Sequence, residues 1–346
     1  MVLFFEQEIH EQPEALARFL QRQTGNVQRV AAAIRQRDIQ HVVIAARGTS
    51  DNAATYGRYV LESHCGVVVS LAAPSLFTLY RRPPRLDKAL VIGVSQSGQG
   101  QDIIEVISEA KRQGAATLAI TNFGDSPLAS VAEHVITLEA GAERAVAATK
   151  TYTAQLMAFA LLATAWQAND EHLGLLQHVP DIVAETLRLK DIIRQAVERY
   201  RYMEHGVVLG RGYNYATAFE IALKLKETSY LVIEPYSTAD FRHGPIAIAE
   251  EGFPAFLIGP TGAVFDDVLA AGNELVTKGA EVIAFSDQDE LLALARVPLR
   301  MPAPLPEWLS PMPYVVPGQL FALYLALTRG YNPDQPRGLS KVTVTR

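Results

Sequence analysis

The chain has 346 residues, 49% hydrophobic and 20% charged, with a formal net charge of −6. That balance excludes fibrous and disordered classes and suffices for two domains of ordinary size. The acidic balance argues against a broad basic surface, so nucleic acid is not an expected partner, while a local phosphate site of backbone N–H groups and hydroxyls stays open. Cys65 is the single cysteine, so an internal disulfide and a cysteine metal cage are ruled out. It reads as a buried, inert thiol in a reducing compartment. The opening residues lack a basic segment followed by an apolar one, and no apolar run reaches the roughly 18 residues of a membrane span. A cytoplasmic chain with no membrane partner is expected.

In chain order, "EQPEALARFL" opens a helix predicted over residues 12–38, with Pro13 in its first turn. Apolar, β-rich runs follow at 41–46, 67–73, 89–94, 116–121 and 134–139, separated by helical segments such as "DNAATYGRYVLES" and "QDIIEVISEAKRQG". Continuous apolar strands alternating with helices predict an α/β fold whose parallel sheets are covered on both faces, three layers deep. The plan then repeats. "VVIAARGTSDNAATYGRYVLE" (42–62) is similar to "VVLGRGYNYATAFEIALKLKE" (207–227), and Gly48, Gly93, Asp102 and Gly114 pair with Gly212, Gly259, Asp267 and Gly279 at nearly constant offset. Such a shared offset indicates duplication. The expected organisation is an N-terminal helical segment over 1–38, a first domain over 39–165, a helical connection over 166–200, a second domain over 201–330, and a tail over 331–346.

In an open parallel sheet, ligands bind beyond the carboxyl ends of the strands. "SQSG", Ser95 to Gly98, stands at such an end. Its hydroxyls, its glycine and the N–H groups of the following helix suit a phosphate, whereas an ordinary N-cap accounts for one serine but not both. The second copy has "PTG" there instead. Thr49 and Ser50, in "ARGTSDN", occupy the equivalent loop after the first strand and are expected to face the same crevice. In "ERAVAATKTYTAQL", Thr149 falls at a predicted N-cap and Lys150 in the first turn, against the helix dipole; it reads either as functional or as an exposed lysine. Glu220, Lys224 and Glu227 share one helix face at i, i+4 and i+7. That spacing fits a solvated ion-pair face, and equally a carboxylate tuned for proton abstraction beside a lysine. His243 lies in a "RHGP" turn and Lys341 in the tail; neither is diagnostic alone.

Together, "EIHEQP", "RGTS", "SQSG", "ERAVAATK", "EIALKLKETSY", "FRHGP" and "LSKVTV" resemble the sugar isomerase (SIS) family, in its tandem-domain branch. The resemblance runs over essentially the whole chain and implies two tandem SIS domains. By position, it implies a sugar-phosphate ligand held by Thr49, Ser50, Ser95, Gln96 and Ser97, with Val146 lining the sugar. It gives Glu227 the role of the base moving a proton between C1 and C2, with Lys224 one turn before it. His243 then assists ring opening from a neighbouring subunit, Lys341 reaches the C1–C2 region, and the enzyme is a homodimer with shared sites. No metal or other cofactor is needed for that chemistry.

Two positions depart from the family pattern. Gly100 stands where the phosphate loop usually has a hydroxyl, and Ala148 where the aminotransferase branch has a serine before "TK". The segment of about 35 residues before the first sheet is too short for a glutaminase domain. The activity these features imply is deamination and isomerisation of glucosamine 6-phosphate to fructose 6-phosphate and ammonia. The alternatives are a fructosamine-phosphate deglycase, another sugar-phosphate isomerase, or a non-catalytic sensor. A sensor would not need Glu227, His243 and Lys341.

Overall fold

A computed structural model describes residues 3–302 and 305–341. The chain divides into two compact units whose segments alternate along the sequence. One comprises residues 12–143, 150–180 and the tail from Ser340. The other comprises the N-terminal residues to Glu11, 144–149 and 181–339.

Helix α1 (Phe4–His10) belongs to the second unit, and α2 (Gln12–Arg35) opens the first. The first sheet follows as β1 (His41–Ala45), α3 (Thr49–Cys65), β2 (Val68–Leu71), α4 (Ser75–Thr78), β3 (Ala89–Ser95), α5 (Gln101–Arg112), β4 (Ala116–Thr121), α6 (Pro127–Val131) and β5 (His134–Thr137). Helices α7 (Lys150–Gln167), α8 (Asp170–Thr186) and α9 (Lys190–Ala196) come next. All strand pairs are parallel in the order β2-β1-β3-β4-β5, with Ile44 opposite Ile92 and Ile92 opposite Leu118. The central strands are predominantly apolar because both faces are covered, and Ala89 to Val94 are all buried. On one face Val43, Val91, Ile103, Val106 and Leu128 form a core. Gly66, at φ 68°, ends α3 in the left-handed conformation that a side chain would resist.

The second unit repeats the winding. Its elements are β6 (His205–Gly210), α10 (Tyr215–Ser229), β7 (Val232–Ser237), α11 (Thr238–Arg242), β8 (Pro254–Gly259), α12 (Phe265–Thr277), β9 (Glu281–Ser286), α13 (Asp289–Leu294), β10 (Val297–Arg300) and α14 (Pro311–Thr328). The sheet order is β10-β9-β8-β6-β7, again all parallel. Read from the β7 edge, this is the order of the first sheet. The expected α/β class and both parallel sheets are therefore present.

One local expectation is corrected: the predicted 12–38 helix stops at Arg35, and within the 1–38 segment expected to be helical a separate helix, α1, precedes it. The buried positions of α1 are Phe5, Glu8 and Ile9, so a glutamate on the inward stripe hides its amphipathic pattern. No described helix is long and apolar enough to cross a membrane.

Candidate functional site

In the first sheet the strand order reverses between β1 and β3, the switch point at which doubly wound folds bind ligands. The loops leaving those two strands carry the predicted hydroxyls. Ser95 ends β3, and its Oγ accepts from the Gly98 N–H at 3.1 Å, while Ser97 Oγ accepts from the Gln99 N–H at 3.3 Å. The Gln96 carbonyl accepts from the Asn122 N–H, and the Gly98 carbonyl from the Leu128 N–H, both at 3.1 Å. Gly98 has φ 64°, and a Cβ there would lie 3.0 Å from Thr121 Oγ1 and overlap Ser126. Only glycine suits that position. The loop is thus fixed by its own backbone and leaves the Ser95, Gln96 and Ser97 side chains half-buried at its rim.

On the other side of the switch point, Thr49 and Ser50 begin α3. Ser50 is buried, and its Oγ accepts from Gln155 Nε2 of α7 at 2.9 Å. Arg47 crosses to the second loop and donates from Nε to Asp102 Oδ2 at 2.7 Å, where Asp102 is 1% exposed in the first turn of α5. Gly100 is the N-cap of α5 and makes no side-chain cap bond; a Cβ there would meet only ordinary contacts, the nearest at 3.5 Å. The hydroxyl missing from this position therefore reflects residue choice, not lack of room.

Around the start of α7, a buried carboxylate organises the same unit. Glu143 accepts from the Thr151 N–H at 3.1 Å, from Thr151 Oγ1 at 2.8 Å and from Lys341 Nζ at 2.9 Å. Lys341 is thereby brought to the N-terminus of α7, the last described residue of the tail; the rest of "LSKVTV" lies outside the described residues. Lys150 is buried and donates to the Ala142 carbonyl at 2.6 Å. The reading of Lys150 as an exposed lysine is overturned, because its amine closes the segment it follows.

The other candidates belong to the second unit. Glu220 and Lys224 are fully buried on α10, while Glu227 keeps 21% of its side chain accessible. Lys224 Nζ lies 3.3 Å from Glu220 Oε1 and 2.6 Å from Glu227 Oε2. Burial works against the charge on Lys224, but Glu220 and Glu227 outweigh it and hold the ammonium above the ordinary lysine range. The solvated ion-pair reading is therefore wrong: α14 packs along α10 and encloses all but the Glu227 end. His243 caps α11 with its side chain exposed, ahead of Gly244 at φ 154°. Half-buried Val146 and buried Thr149 fall within 144–149, whose Arg144 and Ala145 N–H groups both donate to the buried carboxylate of Glu8.

Glu8, Arg47, Asp102, Glu143 and Gln155 were given no roles by the sequence reading. Glu8, Arg47 and Glu143 sit inside "EIHEQP", "RGTS" and "ERAVAATK", and Gln155 inside "ERAVAATKTYTAQL", so for these four the signal lay in the motif, whereas Asp102 stood out only through its repeat partner Asp267.

These features define a tandem, doubly wound α/β protein with a hydroxyl-lined switch point in one half and a buried carboxylate–ammonium triad in the other. The chain belongs to the SIS domain family, whose profile matches residues 35–165 and 203–329. It is 36% identical over 99% of its length to glutamine–fructose-6-phosphate aminotransferase (isomerizing) of Thermococcus kodakarensis, and 35% identical to that of Aquifex aeolicus. The chain spans 58% and 57%, respectively, of those two relatives. Among solved structures, a protein from Silicibacter pomeroyi DSS-3, described provisionally as a phosphosugar isomerase, superposes with a TM-score of 0.88 at 35% identity, with 96% of this chain and all of that one covered. The C-terminal domain of glucosamine-fructose-6-phosphate aminotransferase from Francisella tularensis gives a TM-score of 0.88 at 27% identity, over 97% and 99% of the two chains.

Proposed function

We propose that the chain is a sugar-phosphate isomerase acting on an amino sugar, converting glucosamine 6-phosphate to fructose 6-phosphate and ammonia. The observation that carries this reading is the Glu220–Lys224–Glu227 triad, buried except at Glu227. Burying charge costs several kcal/mol unless the partners are well arranged, and a module that only binds a phosphate has no use for it. With Lys224 holding one face of the carboxylate, Glu227 is oriented toward its accessible side.

In this reading Thr49, Ser50, Ser95, Gln96 and Ser97 hold the phosphate, and Val146 lines the sugar. Phosphate binding remote from the reaction positions the reacting carbons. His243 assists opening of the ring to the aldehyde. Glu227 takes the C2 proton and returns it to C1. The resulting C2 iminium is hydrolysed by water to the ketone, releasing ammonia. Lys341, beside Glu143, stabilises the oxygen that gains charge at C1.

Incubating the purified chain with glucosamine 6-phosphate should yield ammonia and fructose 6-phosphate in equal amounts. Turnover of a fructosamine phosphate alone would replace this assignment by a deglycase, and binding without turnover by a sensor. Glu227→Gln should lower the rate by about 10²–10⁴-fold, the usual contribution of a general base, with sugar-phosphate binding kept; an unchanged rate would remove Glu227 from the mechanism.

The reading includes a homodimer in which His243 serves the partner's site, in keeping with its exposure on the single chain. Mixing a Glu227→Gln chain with a His243→Ala chain should then restore activity that neither has alone. If the mixture stays as inactive as its components, His243 acts within its own chain or not at all.

A further inference from the structure

The second sheet has its own switch point, between β6 and β8. Five residues, 260–264, join β8 to α12, as five residues, 96–100, join β3 to α5. The loop after β6 carries Gly212 at φ 58°, the counterpart of Gly48 at φ 54° after β1. One loop thus keeps its length and the other its left-handed glycine, without the serines.

Two carboxylates of the same unit meet this frame: Asp287 accepts from the Thr261 N–H at 2.8 Å at its outer end, and a second one enters between the loops. Glu307 lies in the short turn before α14, and its Oε2 accepts from the Ala263 N–H at 2.6 Å. A Cβ on Gly262 would come within 2.8 Å of Glu307 Cδ, and one on Gly212 within 3.2 Å of Oε1. One carboxylate is therefore in contact range of both switch-point loops, each at a glycine with positive φ. Position in the chain gives the same assignment independently. Helices α7 and α14 both follow the fifth strand of their copy and both have 18 residues. Four residues before α7 stands Val146; four residues before α14 stands Glu307. Where the first copy has an uncharged residue at this position, the second has a carboxylate that accepts from the N–H of one of its switch-point loops.

We propose that the second SIS copy retains an anion cradle between its Gly212 and Gly262 loops and that the Glu307 carboxylate is its built-in occupant. Without that side chain, the cradle takes a small free oxyanion of the size and charge of inorganic phosphate. The choice of probe rests on reading the first copy's loop as a phosphate site, so the test separates the two. The background is a chain with Ser95→Ala and Ser97→Ala, titrated with inorganic phosphate by calorimetry and thermal denaturation.

With Glu307 present, this chain should not bind phosphate. Adding Glu307→Ala should create one saturable site per chain, with a Tm that climbs with phosphate concentration. No binding and no Tm response in the folded alanine chain would overturn the proposal. Glu307→Gln, which keeps the volume, covers the case in which alanine prevents folding. Its Tm should fall in phosphate-free buffer and recover with phosphate; a Tm indifferent to both changes would also overturn the proposal. Phosphate binding by the serine variant with Glu307 intact would count against the first-loop reading, and the increment caused by replacing Glu307 would still decide this one.

Discussion

Lys224 has no exposed side-chain surface and sits between two carboxylates, so its charge is tied to the folded state. Its folded pKa lies above the ordinary value of 10.5. The folded chain therefore holds this proton more tightly than the unfolded one. The stabilisation is complete below the ordinary lysine value and is lost as pH rises through the folded one. Denaturation midpoints measured upward from about pH 10, near the unperturbed lysine value, should fall more steeply for the native chain than for Lys224→Met. Parallel profiles would contradict the arrangement. The sequence placed Glu220, Lys224 and Glu227 on one helix face but could not say whether the face was wet, because its cover, α14, is separated from it by some 80 residues and four strands. The roles of Asp102 and Glu143 were illegible for the same reason: their partners Arg47 and Lys341 are remote in sequence, and no local period links them.

At the scale of elements, the two copies solve one packing problem in mirrored ways. In the first, Gly57 of α3 receives Phe159 of α7, and an added Cβ would lie 2.6 Å from the ring. In the second, the glycine is on the other helix: Gly318 of α14 receives Ile221 of α10, leaving no room for a Cβ. Gly57→Ala and Gly318→Ala should each destabilise by about 1–3 kcal/mol, the usual cost of overpacking a full core, read as a lower denaturant midpoint at unchanged slope. Either substitution proving neutral would mean that the helices can separate at no cost. Strands were the most legible elements, since burial on both faces leaves an unbroken apolar run bounded by turn residues. Helix α1 was the least, because its inward stripe includes Glu8, whose partners are the N–H groups of Arg144 and Ala145.

For the whole molecule, the duplication was readable from its turn glycines, and the shared strand order is its structural counterpart. What the repeat could not reveal is how the chain is apportioned between the units. The first unit takes back the tail from Ser340, and the second takes α1 and residues 144–149. This interleaving has a consequence for synthesis. The ion pair between Lys341 and Glu143 spans 198 residues, and every residue from 181 to 339 must emerge before it can form. Non-local closures of this kind come late, after the intervening chain has been ordered. A nascent chain that has made its first sheet thus still lacks its tail lysine, and Lys341 joins the unit only when translation has passed the second sheet.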